Sequence, residues 1–390
     1  MRRRARVLLV IAVSVGLLAS LAWLARPTTP ARPASLQPVL PAASEPPEAV
    51  SSADALPASA PLSAEAANRA RRDELWCKLI SQREPERSAV EDDAPQLPRE
   101  RPEGKLMAEA REDLVQRWSA QLQAQGDERS RALALRLRAL GKEPLPVDSE
   151  ARHQLIALAQ TTSLPEVYAW AHQSCSGDAS CEAQLPARQF LRLDPGNRYA
   201  LDLVFSEAAR DGDLQAQREV LYQAGIAPGS NDYGAEAIRM LGALPLKDDG
   251  PEPAAASMLY VQIGLMNMPN FAPVTRYCKA EGPDQADRRA LCVQAAQTRG
   301  RQAKTLLDLG LSRGLARVSG DEALAASLTR DYDALMKAHQ DASSQMLEIW
   351  ASDGTCAAGA IMLKQMYTVM TQGELAWARA RLAAASAAAR

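Results

Sequence analysis

The sequence predicts an all-α protein built from antiparallel helical hairpins with short connections. Apolar residues recur every three to four positions along most of the chain and alternate nowhere as they would in a strand. Glycine follows and aspartate precedes many of these segments, as expected where a left-handed residue ends one helix and a side-chain oxygen begins the next. Aromatic residues make up only 4% of the 390 residues, which disfavours a β-sandwich or barrel.

The first element is a basic end followed by an apolar run. Residues 2–6 read Arg-Arg-Arg-Ala-Arg, and residues 7–25 carry no charge. This order predicts membrane insertion with the basic end in the cytoplasm, and a 19-residue run can cross the hydrocarbon core. We interpret residues 1–26 as a signal anchor that places the body in the bacterial periplasm as a single-pass inner-membrane protein. The alternative is a signal peptide cleaved near residues 20–22, which would release a soluble periplasmic or secreted protein.

A linker separates this run from the body. Residues 27–64 are rich in Pro, Ala and Ser, a composition that buries too little apolar surface to fold and that favours an extended stalk. The helical body is predicted over 65–390, and it is interrupted by a second Pro-containing polar break at 84–103.

Within the body, the helices are predicted from their stops and starts. Gly126 ends a helix over 103–125, and Asp127 caps the next one. Residues 163–166 fit a capping box, with Ser163 as the cap and Glu166 three positions later. Besides a first helix over 63–83, we predict helices over 198–210, 213–223, 233–244, 254–267, 283–297, 303–318, 321–338, 342–350, 356–371 and 374–389.

One stretch, residues 193–227, resembles a tetratricopeptide repeat. It begins with Leu-Asp-Pro-Gly-Asn at 193–197, like that family's inter-repeat turn, and Gly212 and Asp213 occupy the turn between the two helices. Phe205 departs from the family pattern, because a small residue is usual there. The resemblance implies an irregular array of helical hairpins with a concave surface, the alternative being an irregular bundle. The whole chain also resembles exported helical proteins of GC-rich Gram-negative bacteria, a likeness that implies no activity.

The six cysteines predict disulfides, because their number is even and the protein is expected in an oxidising compartment. Cys175 and Cys181 bracket a short loop, and Cys278 and Cys292 flank a predicted turn between two helices. Cys77 and Cys356 remain, and they either join the two ends of the body or stay as buried free thiols.

Few residues suit catalysis or metal binding, so we expect no cofactor, no metal and no enzyme activity. The chain has three His, and its 47 acidic residues slightly outnumber its 45 basic ones. This balance, with five Arg concentrated in the first 26 residues, disfavours nucleic acid binding.

Residues 310–314 match the G-x-S-x-G elbow of hydrolases, but the surrounding pattern is helical. His172 with Cys175 and Cys181 would make an incomplete metal site.

The sequence therefore indicates a membrane-tethered periplasmic helical scaffold that binds a protein or peptide partner between its helices. Residues 269–273, which read Pro-Asn-Phe-Ala-Pro, form the best candidate for an exposed functional loop. The alternative function is a cell-envelope enzyme, or a subunit of one, with an unrecognised site; a purely structural envelope protein is the third.

Overall fold

A computed structural model describes residues 64–81, 102–140, 149–175, 177–265, 270–282, 284–352 and 358–388. These residues form seventeen α-helices and no strand, so the predicted all-α class is confirmed for the described part of the chain. The helices are α1 Ala64–Ser81, α2 Pro102–Gln125, α3 Glu128–Ala139, α4 Ser149–Ala159, α5 Pro165–Ser174, α6 Ala179–Glu182, α7 Ala187–Leu193, α8 Arg198–Arg210, α9 Leu214–Ile226, α10 Gly234–Gly242, α11 Glu252–Leu265, α12 Ala272–Lys279, α13 Gln285–Gln302, α14 Leu306–Val318, α15 Glu322–Ser352, α16 Ala358–Gln372 and α17 Glu374–Ala388.

Two apolar cores organise these helices. The first is built mainly by α2 to α5, α10 and α11, around Trp118 and Trp170. The second is built mainly by α8, α9, α12 to α15 and α17. Leu191 on α7 and Leu203 on α8 pack against both cores. Helices α7 and α8 therefore join the two halves of the body.

The predicted helix ends are confirmed at three glycine–aspartate turns. Gly126, Gly212 and Gly320 all have a positive φ. The Asp127 side chain accepts a hydrogen bond from the Ser130 amide, and the Asp213 side chain accepts one from the Ala216 amide. The backbone geometry that sequence predicts at these turns is thus present.

We expect three substitutions at the α8–α9 hairpin to differ in their cost. Leu221→Ala should lower the free energy of unfolding by about 2–5 kcal/mol, because this side chain is 3% exposed. Asp213→Ala should cost about 0.5–2 kcal/mol through the lost cap. Gly212→Val should cost more than Asp213→Ala, because a β-branched residue resists the φ of 70°. Thermal and denaturant melts measure the order, and an unchanged melting temperature for Leu221→Ala would contradict the packing described here.

The predicted capping box at residue 163 is wrong. The N-cap residue of α5 is Leu164, whose amide donates to the Thr162 hydroxyl oxygen at 3.0 Å. Glu166, which the capping box would turn back on the helix start, instead pairs with Arg129 at the start of α3. A tertiary ion pair has therefore displaced the local motif.

The predicted break between 338 and 342 is also wrong, because α15 runs without interruption over Glu322–Ser352. No glycine or proline lies in this stretch, and buried Leu335 and Ala342 keep the apolar stripe continuous across it. His339 packs edge-on against Trp377 of α17, at 5.5 Å between ring centroids.

The short helices α6, α7 and α12 were not predicted as separate helices from the sequence.

The turns before α8 and α10 are bonded to each other. The Arg198 amide donates to the Gly229 carbonyl at 2.9 Å, and the Asn231 amide donates to the Asn197 side-chain oxygen at 2.9 Å. The two turns have similar sequences, Pro-Gly-Asn at 195–197 and Pro-Gly-Ser-Asn at 228–231. Helices α8 and α9 themselves pack against each other as the hairpin predicted for the 193–227 stretch, while its membership of the tetratricopeptide family stays a prediction.

The predicted membrane run at 7–25 and residues 27–63 of the predicted linker at 27–64 lie outside the described residues, and Ala64, the last residue of that linker, begins α1. Among the helices that the structure describes, none is both long and apolar enough to cross a bilayer.

Candidate functional site

A cleft of about 430 Å³ follows one face of α8, between the C-terminal end of α5 and the start of α12. Its volume lies in the range of ligand-binding clefts, roughly 300–1,000 Å³. The cleft is lined by His172, Gln173, Gly177, Glu182, Tyr199, Leu203, Ser206, Glu207, Ala209, Arg210, Asn270, Pro273 and Arg276.

The sequence of α8 explains why this face is available. Tyr199, Leu203, Ser206 and Arg210 follow helical spacing and line the cleft. The opposite face, with Leu201, Val204, Phe205 and Ala208, is buried; all but Ala208 belong to the second core. Helix α8 therefore packs one face into the second core, while its other face joins the first core at Tyr199 and lines the cleft.

The predicted loop at 269–273 lies at the cleft, although it is shorter than expected. Helix α12 already begins at Ala272, so the described part of the loop consists of Asn270 and Phe271. The Ser206 hydroxyl on α8 is 3.2 Å from the Asn270 carbonyl oxygen. The Phe271 ring covers the Arg299 guanidinium at 4.7 Å. These two contacts hold the loop against α8 and α13.

Two predicted disulfides are confirmed, and each braces one wall of the cleft. Cys175 and Cys181 are bonded, with their Cα atoms 5.2 Å apart, and they close the loop that carries Gly177 beside Glu182. Cys278 on α12 is bonded to Cys292 on α13, with 6.0 Å between Cα atoms. The second bond holds the helix that presents Arg276. The cleft thus lies between two covalently fixed segments.

Cys77 is also disulfide-bonded, so the free-thiol alternative is wrong for this residue. Cys356 lies outside the described residues.

We expect peptide mass spectrometry of unreduced protein to find the Cys77–Cys356 link beside the other two. Removing Cys278–Cys292 should destabilise the protein by about 3 kcal/mol, as for a 15-residue loop, and by more than removing Cys175–Cys181. Six alkylatable thiols in protein isolated under oxidising conditions would contradict this framework.

The acidic side chains in the cleft have partners within the protein. Glu182 pairs with Arg210 at 2.7 Å. Glu207 accepts a hydrogen bond from the Ala187 amide at 2.7 Å, at the start of α7. Burial raises the pKa of Glu207, because the charged carboxylate loses solvation there. The carboxylates thus hold neighbouring elements in place.

His172 and Gln173 form the polar part of the α5 wall. Burial lowers the pKa of His172, so its ring is neutral at pH 7. Gln173 is 2% exposed, and its amide nitrogen donates to the Asp232 carbonyl at 2.7 Å. The Gln173 amide group also meets the buried Tyr199 hydroxyl, and its oxygen has no surface accessible from the cleft. Of these two side chains, only the neutral imidazole of His172 is available to a ligand in the cleft.

The other sequence motifs do not form sites. Ser312 of the G-x-S-x-G match lies inside α14, is 0% exposed and donates to the Ala296 carbonyl, so no nucleophile elbow exists. The metal interpretation of His172 is excluded because Cys175 and Cys181 are joined to each other. No group of three or more His, Cys, Asp or Glu side chains suited to a metal ion occurs in the described ranges.

Sequence reasoning missed the main residues of the cleft, namely Glu182, Ser206, Glu207, Arg210 and Arg276. They come from separate segments, and no local motif connects them. The signals that did point here were the cysteine spacing and the Pro-containing loop. Comparison of the chain with protein-family models, curated proteins and solved structures finds no match.

Proposed function

We propose that this protein is a membrane-tethered periplasmic scaffold whose helical body binds a peptide, or an exposed segment of a partner protein, in the cleft along α8. The observation that carries the proposal is the cleft itself, with one disulfide bracing each wall. A site that is rigid before binding loses less conformational entropy when its ligand arrives, and this favours affinity.

The chemistry of the lining suits a peptide. Leu203, Ala209 and Pro273 provide apolar surface, while the His172 ring provides a group that can hydrogen-bond a main chain. Such a mixture of apolar surface and a few polar groups is typical of ligand clefts. The periplasmic placement is supported by the basic and apolar N-terminal sequence, and the disulfides are consistent with an oxidising compartment.

A displayed library of random peptides, selected on the full chain, tests the proposal. Enriched peptides should bind at least tenfold more weakly to Ser206→Trp, because the indole fills the cleft above α8. Gln215→Trp is the matched control, since Gln215 is exposed on α9 outside the cleft, and it should leave affinity unchanged. Equal melting temperatures would show that both variants fold. Failure to enrich peptides, or peptides indifferent to Ser206→Trp, would contradict the proposal.

The enzyme alternative has one observation in its favour. His172, with a lowered pKa, and Glu207, with a raised pKa, line the same cleft, and perturbed pKa values concentrate at acid–base sites. Mass spectrometry of the selected peptides after incubation with the protein separates the two functions. A binding scaffold returns the peptides intact. A reaction product that forms with the natural protein but not with His172→Ala or Glu207→Gln would favour the enzyme.

A further inference from the structure

Helix α1 is attached to the body mainly through charged side chains. Arg69 and Arg72 each lie 3.3 Å from the Asp113 carboxylate on α2. Arg72 also lies 3.7 Å from Glu252, which is 1% exposed at the start of α11. Among the side chains that the structure describes on α1, Trp76 is the one apolar side chain that is buried. Helix α1 therefore buries little apolar surface, and Trp76 belongs to neither of the two cores.

The turn before α11 brings α1 next to the beginning of α16. Asp73 on α1 lies against this turn, because a Cβ on Gly250 would be 3.0 Å from its carboxyl carbon. Gly359, at the second position of α16, lies close by, because its Cβ would be 3.3 Å from that of Pro253. Helix α1 and the first turn of α16 therefore meet at the same short segment.

The Cys77 disulfide differs from the other two disulfides in its accessibility. Cys77 is partly exposed, whereas the four cysteines of the other two bonds are each at most 4% exposed. Those two bonds leave Cys356, two positions before α16, as the partner of Cys77. Disulfide exchange begins when a thiolate attacks a sulfur, so it requires access to that sulfur. A reductant in solution therefore opens the Cys77 bond first.

We infer that α1 is a strap that a dithiol reductant releases by opening the Cys77 disulfide, while both cores stay folded. A thiolate of the dithiol attacks the Cys77 Sγ atom and forms a mixed disulfide as the Cys356 thiolate leaves. The second thiol of the dithiol then displaces Cys77. In total, the bond in the protein gains two electrons and two protons, which the dithiol loses as it becomes a disulfide.

The remaining ion pairs hold α1 weakly once this bond is open. Pairs between partly exposed side chains contribute little to stability, and dissolved salt screens them. Arg69 and Asp113, whose side chains are 27% and 22% exposed, form such a pair. Because α1 follows the predicted linker, its release lengthens the connection between the predicted membrane run and the two cores. This last consequence rests on the proposed tether, whereas the release itself does not.

Hydrogen–deuterium exchange of the full chain, followed by peptide mass spectrometry, tests the release with dithiothreitol as the dithiol. Alkylation of opened thiols should label Cys77 and Cys356 before any other cysteine. The amides of α1 should then exchange about tenfold faster, while those of α5 in the first core and α14 in the second core keep their rates. In the reduced protein, sodium chloride at about 1 M, where the screening length is about 3 Å, should speed the exchange of α1 further.

Two adjacent arginines of α1 separate the effect of the ion pairs from that of helix charge. Arg72→Gln removes the contacts with Asp113 and Glu252, so in the reduced protein at low salt it should speed the exchange of α1 about as much as sodium chloride does. Arg71→Gln is the matched control, since Arg71 is exposed and makes no ion pair with a described residue, and it should leave the rate unchanged. Cys77→Ser combined with Cys356→Ser should reproduce the reduced protein without a reductant.

Four results would overturn the inference. Labelling of a buried cysteine before Cys77 would contradict the order of reduction. If α1 keeps its oxidised exchange rate after Cys77 is reduced, at high salt as well, the disulfide does not hold it in place. If α5 and α14 exchange faster together with α1, the bond braces the whole body and α1 is not a strap. Equal rates for Arg72→Gln and Arg71→Gln would exclude the ion pairs as the remaining attachment. None of these measurements involves the cleft, so each can fail while peptide binding succeeds.

Discussion

Replacing Asp202 by alanine should lower the free energy of unfolding by about 3–5 kcal/mol, because it removes a carboxylate that two buried arginines share and with it the shortest ion pair of Arg299. Asp202 on α8 contacts Arg299 of α13 at 2.5 Å and Arg198 at 3.5 Å. Arg198 is 2% exposed and Arg299 is 3% exposed. Asp308 at the start of α14 would remain, at 3.4 and 3.5 Å from the two guanidinium groups. Urea unfolding followed by circular dichroism measures the loss.

Asp331→Ala is the matched control, because Asp331 is exposed on α15 and makes no ion pair with a described residue. This control should change stability by less than about 0.5 kcal/mol. Asp202→Leu combined with Arg299→Met should cost less than Asp202→Ala alone, since the combined change removes a buried charge together with its partner. Equal stability of Asp202→Ala and Asp331→Ala would show that the cluster does not join α8, α13 and α14 as described.

Replacing Trp170 by alanine should cost about 3–5 kcal/mol, the range for a buried tryptophan. Trp170 on α5 is 0% exposed in the first core, and its indole N–H donates to the Tyr233 carbonyl at 2.9 Å. Tyr233 has a positive φ of 60°, and its hydroxyl donates to Asp194 at 2.7 Å. The substitution therefore removes core volume and one support of the turn that precedes α10.

Trp170→Phe separates these two contributions, because it keeps most of the ring volume and removes the donor. It should cost less than the alanine change and more than Tyr222→Ala, a truncation on the exposed face of α9 where the ring is 51% exposed. Denaturant midpoints of the three variants give this order. A Trp170→Ala midpoint equal to that of Tyr222→Ala would rule out the described packing of α5.

The sequence by itself determined the class of the fold and most helix ends. Apolar spacing and glycine–aspartate turns are local signals, and Gly212 with Asp213 adopts the backbone that those residues favour. Two cysteine pairings were also predictable, because the partners are close in sequence and flank turns. Local prediction was wrong where a tertiary contact intervened, as when Arg129 engaged Glu166 and displaced the cap expected from Ser163.

The cleft was decided only by the tertiary structure. Its residues lie on α5, α6, α8 and α12, more than a hundred positions apart at the extremes, and their types are ordinary for exposed helices. Helical spacing shows that α8 has two distinct faces, but it does not say which neighbour covers each one. The second core buries the face with Leu201, while the disulfide-braced walls leave the face with Ser206 and Arg210 open to the cleft. Periodicity is a property of one segment, whereas a cleft arises where separate segments fail to cover each other.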